Sequence, residues 1–440
     1  MKFLDELATR RRFGMKPGLE TIRSLCTALG DPQRNFKAIH VAGTNGKGAV
    51  CAILDAALRE GGLRVGRYTS PHLVKINERF FLDGVPAEDA TLERVAEKVE
   101  HSIVRLRLTT TTTFFEALTA VAFELYAEAG VDYAILECGL GGRLDATNVC
   151  EPALCIITRI GLDHCDWLGD TVEKIAAEKA GISKSGVPVV LGRNAPSVRA
   201  VIEARAREVG APFHYAPDLA DESEIPEGFP LVGAFNCENA VTALAALRVL
   251  AIRGEGRRSK VEGRTVDFPS SVIWPGRFQR VGNFIIDGAH NPPAARALVS
   301  SISTFNLQPS TFNLICGFCG DKDVDEVLSI LAPLVKKGYA VRTNNPRSLS
   351  AEESAAKMRA VGIDAVACDS LKEAIRLSSR NAEHWPSEAT QPKAYALRTL
   401  ICGSLFLAGE ALVELGAYPW GPVRFDKAEL LGYNTHNNFS

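Results

Sequence analysis

The residues best suited to chemistry stand singly at the ends of apolar runs. The run from Phe36 to Val41 leads into Gly43-Thr44-Asn45-Gly46-Lys47-Gly48, and a helix-forming stretch follows from Ala49 to Arg59. A strand, a glycine-rich turn and a helix N-terminus together make an anion site. The glycines let backbone N–H groups converge on phosphate oxygens, the helix dipole adds positive potential, and Lys47 supplies a mobile cation. The usual P-loop pattern is not met in full: Val41 stands where its first glycine belongs, and Gly48 stands where a Ser or Thr would hold Mg²⁺. The loop is then a plain turn, or the metal ligands come from elsewhere in the chain. Candidates follow. Tyr133 to Leu136 is apolar and ends at Glu137, and Ala153 to Ile160 ends at Gly161-Leu162-Asp163-His164. A carboxylate at a strand end beside a phosphate loop is placed like the acidic metal ligand of nucleotide enzymes, and imidazole is a metal ligand. Leu63 to Thr69 ends in Ser70-Pro71-His72-Leu73, again where ligand loops of a parallel sheet gather. Each residue also has a plainer reading: a solvated strand-end charge for Glu137, a hydrogen-bonding role for His164, and a last-turn helix lysine for Lys179. Several strand-end polar groups on one sheet favour a shared site.

The elements that must carry these groups alternate. Ala87 to Leu108 is amphipathic, with Leu92, Val95, Val99, Ile103 and Leu106 on one face. Phe114 to Glu128 is mostly apolar and so predicts a buried helix. Thr171 to Ala180 reads as a helix carrying Glu178 and Lys179, and Gly233 to Leu250 as one opening with Asn236 and Asn239. Arg253 to Lys260 is basic, glycine-rich and without apolar periodicity, so the interdomain connection is placed between there and Pro275. A second alternation follows, with strands at Asn283 to Ile286, Phe312 to Cys316, Tyr339 to Arg342, Ala365 to Cys368 and Ala396 to Ile401. The first of these strands ends in Asp287-Gly288-Ala289-His290-Asn291-Pro292. The class is α/β, with two domains at 1–274 and 275–440, each built on a parallel, doubly wound sheet.

A chain of 440 residues suits two domains. A net charge of -2 offers no electrostatic case for nucleic acid or a membrane surface. The first twelve residues are charged rather than apolar, which excludes a signal peptide there, and no apolar run reaches a membrane span. Eleven cysteines, many in apolar runs, fit buried reduced thiols in a cytosol. Cys316-Gly317-Phe318-Cys319 reads as a redox dithiol or as a buried strand end, with no second pair to complete a zinc site.

The ordered set of motifs resembles the folylpolyglutamate synthase and dihydrofolate synthase family, a branch of the Mur ligase superfamily. The matching stretches are the loop from Gly43 to Gly48, Ser70 to Leu73, Leu136 to Asn148, Gly161 to His164, Glu178 to Ile182, Pro275 to Phe278 and Asp287 to Pro292. Asp321-Lys322-Asp323 and Gly403 to Glu410 carry the resemblance toward the C-terminus. It implies a P-loop-type Mur ligase central domain followed by a Rossmann-like domain. It also implies an ATP-dependent ligase that joins L-glutamate to dihydropteroate or to reduced folates through an acyl phosphate. ATP would sit on the glycine loop at the domain interface, touching Thr44, Asn45, Gly46, Lys47 and Gly48. Asn239 would contact adenine, Arg277 and Asp287 would complete the site, and His290 would lie near the phosphates. Mg²⁺ would be held by Ser70, Glu137 and His164, and a second ion would involve Lys179 as a carbamate. The pterin would meet Thr113, Phe114, Phe115 and Glu116, together with Leu144, Asp145 and Ala146, and Met15 and Lys16 near the N-terminus. Lys47, Lys179, His164 and His290 are the expected catalytic residues. Two departures stand out: Ala49 replaces the family's usual Ser or Thr, and Phe235-Asn236 replaces the common His-Gln pair. The resemblance favours a cytoplasmic monomer with small-molecule substrates and no nucleic-acid or membrane partner. Three other readings compete. One is another Mur-type amino-acid ligase. A second is a P-loop NTPase or kinase without ligase activity, and a third is a nucleotide-binding module without catalysis.

Overall fold

The computed structural model describes residues 2–8, 18–231, 233–251, 258–261, 263–303, 312–380 and 399–421. Met15 and Lys16 lie outside them. Contacts divide the chain into two compact units: residues 1–230 with 236–272, and residues 231–235 with 273–440.

The first unit is built on eight strands. They are β1 (Lys37–Ala42), β2 (Val65–Tyr68), β3 (Phe80–Leu82), β4 (Val85–Pro86), β5 (Tyr133–Glu137), β6 (Pro152–Ile157), β7 (Val189–Leu191) and β8 (Phe213–Tyr215). Their order in the sheet is β4-β3-β2-β5-β1-β6-β7-β8. From β2 through β8 every pairing is parallel, and β3 and β4 are antiparallel at one margin. The carboxyl ends of six strands therefore share one edge. From β1 the chain moves first toward β2 and later, by way of β5, across to β6, so the loops after these strands part at β1, where parallel sheets hold ligands.

Two apolar clusters cover the sheet. One contains Ala38, Tyr68, Ala134 and Leu136 with the helices Asp89–Arg105 and Phe114–Ala129. The other contains Ala42, Cys155, Ile157, Val189 and Leu191 with the helices Val172–Ala180 and Pro196–Val209. Side chains two apart on a strand share a face, so His40 sits between the clusters, in line with Ala38 and Ala42.

One stretch departs from expectation. Part of the stretch where the connection was placed forms the hairpin β9 (Arg258–Val261) and β10 (Arg264–Asp267) within the first unit, and the division between the units follows it at residues 272–273. Only Val261 and Val266 give the pattern its apolar side. Val266 is fully buried and packs so close that a Cβ on Gly61 would meet its methyl at 2.7 Å.

The second unit holds β11 (Gln279–Val281), β12 (Phe284–Ile286), β13 (Phe312–Cys316), β14 (Val335–Ala340), β15 (Ala365–Ala367) and β16 (Thr399–Cys402), ordered β11-β12-β16-β13-β14-β15. Five strands are parallel, and β11 is an antiparallel edge strand turned back through Gly282-Asn283. The sheet is thus mixed where a wholly parallel one was expected. Strand β14 starts at Val335 rather than Tyr339. Its Lys336-Lys337-Gly338 breaks the apolar run, yet Gly338 is required, since a Cβ there would meet the Met358 methyl at 2.2 Å. All eleven cysteines are free and only Cys165 is exposed. Cys316 is sealed on β13 against Met358, with Sγ to Sδ at 3.4 Å, and burial pushes its thiol well above the ordinary range. These are the marks of a packing residue. No helix among the described residues is long and apolar enough to cross a membrane.

Candidate active site

The site is built from the loop that leaves β1. Gly43 has φ +149° and Gly46 has φ +90°, both open to glycine. A Cβ on Gly43 would come within 1.9 Å of Thr158 Oγ1, and one on Gly46 within 2.1 Å of Asn239 Oδ1. The helix Lys47–Glu60 then begins, with Gly48 and Ala49 buried in its first turn. The loop is clamped to the segment that follows β6. The N–H groups of Thr44 and Asn45 donate to the Arg159 carbonyl at 2.9 and 3.2 Å. Thr44 Oγ1 donates to the Gly161 carbonyl and accepts from the Gly161 N–H, each at 3.1 Å. Thr158 Oγ1 donates to the Asn45 carbonyl at 2.8 Å. Asn239, on the helix Ala234–Leu250, is thereby brought beside the loop from nearly two hundred residues away.

Lys47 Nζ donates to the Thr44 carbonyl at 3.2 Å and lies 3.8 Å from Glu137 Oε1. Glu137 ends β5, and its Oε2 accepts the Ser70 N–H at 3.0 Å. Thus Ser70, Glu137 and Lys47, from three different segments, form one contact chain. A polar cavity of about 40 Å³ beside them is lined by Thr44, Lys47, the Cys138–Gly141 turn, Asp163, His164 and Lys179. Ser70 and Glu137 join it through Lys47 rather than by lining it. His164 has φ +52°, which turns the chain sharply after Asp163. Asp163 Oδ1 accepts the His164 N–H at 3.0 Å. Among the described residues, no three His, Cys, Asp or Glu side chains cluster as a metal site; the expected set has a serine as its third member. A larger hollow of about 380 Å³ lies at the opposite edge of the sheet, lined by Arg34, Lys37 and Glu151 among others, and holds none of these groups.

Lys179, in the last turn of its helix, is 4% exposed and donates to the Gly43 carbonyl at 2.8 Å. Burial, and then the positive charge of Lys47, push its pKa down to about 7. Its amine is therefore partly neutral and nucleophilic near physiological pH.

The Cys138–Asn148 loop is held from within. Asp145, 5% exposed, accepts the N–H groups of Gly139 at 2.8 Å and Leu140 at 2.9 Å through Oδ2. Through Oδ1 it accepts the N–H and hydroxyl of Thr147. Leu144 is half-buried and Ala146 buried on either side of it. Nearby, Thr113 and Glu116 cap the helix Phe114–Ala129 reciprocally, each accepting the other's N–H. Phe115 lies 5.9 Å from Tyr68, ring to ring, and a Cβ on Gly139 would strike it at 2.6 Å. Arg79 stands over Phe114 at 5.6 Å and donates through Nε to His72 Nδ1 at 2.9 Å. These residues make a half-buried aromatic wall with a guanidinium beside it, suited to a flat heteroaromatic ring.

In the second unit, Asp287 is buried at the end of β12 and accepts the N–H groups of Phe278 at 2.7 Å and Ala289 at 2.8 Å. Burial raises its pKa, and the Arg277 guanidinium opposes that rise. His290 Nδ1 is 2.7 Å from the Gly288 carbonyl, so that nitrogen carries a proton and donates it.

Sequence reasoning passed over Thr158, Asn194 and His40. Asn194 accepts the Ile160 N–H at 2.8 Å and donates to the Thr158 carbonyl, which steadies the segment clamping the loop. None of them sits at a recognisable motif. Only the polar residue inside an apolar run, His40 in Ala38-Ile39-His40-Val41, left a trace.

Comparison with known proteins finds matches along most of the chain. Residues 41–210 match the Mur ligase middle domain, and residues 276–385 match the Mur ligase glutamate ligase domain. The dihydrofolate synthase/folylpolyglutamate synthase of Bacillus subtilis is 34% identical over 78% of this chain and 85% of its own length. The structure of Escherichia coli FolC in complex with DHPP and ADP superposes with a TM-score of 0.78 at 31% identity, covering 94% of this chain and 97% of that one. The bifunctional enzyme of Yersinia pestis complexed with AMPPNP and Mn ion gives 0.76 at 30% identity, covering 91% and 94%.

Proposed function

The chain belongs to the folylpolyglutamate synthase/dihydrofolate synthase family of ATP-dependent Mur-type ligases, and on that premise we propose that it joins L-glutamate to both dihydropteroate and reduced folates. The observation that carries the reading is the meeting of Lys47, Glu137 and Ser70 in one contact chain, beside the cavity shared by Lys47, His164 and Lys179.

A carboxylate acylates poorly because its leaving group would be oxide. Its oxygen instead attacks the γ-phosphorus of ATP, releasing ADP and forming an acyl phosphate. The glutamate amine then attacks the acyl carbon, phosphate leaves, and one amine proton passes to solvent. Two anions must approach in the first step, so positive charge has to be present in advance. Lys47 and the N–H groups of the glycine loop supply it from the chain. Ser70, Glu137 and His164 offer two hard oxygen donors and one borderline imidazole nitrogen, a mixed set compatible with Mn²⁺ or Mg²⁺, and Ser70's own N–H orients the carboxylate. These residues would hold the ion, which would supply further positive charge for the phosphates. Lys179, with its partly neutral amine, fits carbamate formation with CO₂, which releases one proton and leaves an oxygen donor for a second ion. Arg277, Asp287 and His290 serve the nucleotide, and Asn239 its base. The wall of Phe114, Phe115 and Arg79, with Thr113, Glu116 and Leu144 to Ala146, takes the pterin. The protein acts as a cytosolic monomer.

The test is ADP release from Mg-ATP and L-glutamate, with dihydropteroate and with tetrahydrofolate in parallel, and product masses read for one added glutamate. Release with both supports the reading. Release with one acceptor alone removes bifunctionality, and release without an acceptor removes the ligase reading in favour of an NTPase.

A further inference from the structure

We propose that His40 and Thr147 are positioning residues of the ligase reaction: they hold Asp145, and through it the Gly139–Leu140 turn that lines the cavity beside Lys47 and His164. The proposal rests on the reading of that cavity given above.

His40 lies at the centre of β1, three residues before Gly43, and has no exposed surface. An apolar residue would suit that place, because the two clusters of the sheet meet there. Its Nε2 is instead 2.8 Å from Thr147 Oγ1 and 3.1 Å from Cys138 Sγ. Nδ1 is buried with no hydrogen-bond partner. A buried ring with one nitrogen unmatched destabilises the fold relative to a well-packed apolar side chain, so its presence asks for a compensating task.

The direction of the hydrogen bonds supplies one. Thr147 has a single hydroxyl proton and two acceptors in reach, Cys138 Sγ at 3.7 Å and Asp145 Oδ1 at 2.5 Å, and the short contact to the carboxylate takes it. Its oxygen must then accept from the ring, so the proton of His40 resides on Nε2. Nδ1 is left as a bare lone pair, the cheaper atom to leave unmatched. The ring is neutral, because burial and then the positive Lys184 push its pKa down to about 3. A directed chain results: ring N–H to threonine oxygen, threonine hydroxyl to carboxylate, and carboxylate to the N–H groups of Gly139 and Leu140. Its first member is anchored in the strand that carries the nucleotide loop. Its last members line the cavity with Lys47, His164 and Lys179. Phe115 rests against Gly139 on the other side, so a shift of this turn also moves the aromatic wall. A displacement of about 1 Å at such a place can slow a reaction that depends on alignment by up to about a hundredfold.

Thr147→Val keeps the shape and removes the hydroxyl. It is expected to lower kcat about tenfold, the scale of one charge-assisted hydrogen bond, with KM for ATP changed less than about threefold. Thr147→Ser is expected to return kcat to within about threefold of the parent. A threonine that only packs would give the opposite order, with valine tolerated and serine harmful. Independently, ¹⁵N spectra of histidine-labelled wild-type protein, with His40 assigned by its contact to the Thr147 methyl, should show the Nε2-protonated tautomer. Full kcat in Thr147→Val, no rescue by serine, or an Nδ1-protonated His40 would each overturn the proposal. The tautomer is read without substrate and without a variant, so it still decides the hydrogen-bond chain if the wild-type protein makes no product.

Discussion

Among single residues, Lys47 and Lys179 carry the sharpest expectations. Lys47 contacts its own loop and Glu137 but packs into no core, so Lys47→Ala should keep the melting temperature within a few degrees while lowering kcat/KM at least a hundredfold, the scale of losing a fixed charge at the phosphates. Steady-state kinetics with calorimetry checks both halves. Lys179 behaves differently because it is buried. Its pKa is near 7 when folded and near the ordinary 10.5 when unfolded. Between those values the unfolded chain holds the extra proton, so folding releases it and stability rises with pH by up to about 1.4 kcal/mol per unit; below pH 7 the full penalty of burying the charge remains. Lys179→Met should therefore be more stable than the parent at pH 6, keep less than half of that advantage at pH 9 and lose the rest only toward pH 10.5, measured by urea unfolding in CO₂-free buffer. If the difference does not change with pH, the lysine keeps its charge inside the fold. Legibility follows the same division. Glu137, His164 and Ser70 were visible because each ends an apolar run. His40 and Thr147 were not, because their value lies in which atom faces which, and spacing does not encode that.

For the elements, the glycine loop makes a prediction that separates space from backbone strain. Gly43→Ala places a methyl 1.9 Å from the buried Thr158 hydroxyl at φ +149°, and should weaken ATP binding more than tenfold. Gly186→Ala meets nothing within 4 Å at φ +73°, so it should cost about 1 kcal/mol of stability and leave ATP binding intact. Isothermal titration with a non-hydrolysable nucleotide tells the two apart. Equal losses would mean that φ alone matters. At the helix Phe114–Ala129, Thr113→Ala removes the reciprocal cap, for about 1 kcal/mol. It should also raise KM for the folate substrate if that turn meets the pterin. Element types were readable wherever periodicity was long, as in the helices Asp89–Arg105 and Phe114–Ala129. The hairpin of β9 and β10 was not, since two inward valines among charged residues leave no signal until Gly61 and its surroundings supply the opposing surface. The antiparallel β11 escaped for a related reason: three residues are too few to show alternation.

For the molecule, each unit has its own apolar core, one around the eight-stranded sheet and one around the six-stranded sheet. Calorimetry of the ligand-free protein should resolve two transitions, and nucleotide should move the first unit's transition upward by mass action. A single sharp transition insensitive to nucleotide would contradict that. The two-unit α/β architecture was legible because the strand–helix alternation restarts after Pro275; the grouping of residues 231–235, up to the first two residues of the helix Ala234–Leu250, with the second unit was not. The six parallel strands that end at one edge have a further consequence. In the proposed reading the phosphate-handling groups follow β1, β2 and β6 or end β5, whereas the groups assigned to the acceptor lie in the loop beyond Glu137 and at the start of the helix at Phe114. Mutational drift in the latter set can retune which acid is chosen while the energy-yielding half stays constant. A lineage could thereby exchange one acceptor for another, or keep both, through neutral intermediates that never lose the ability to activate a carboxylate.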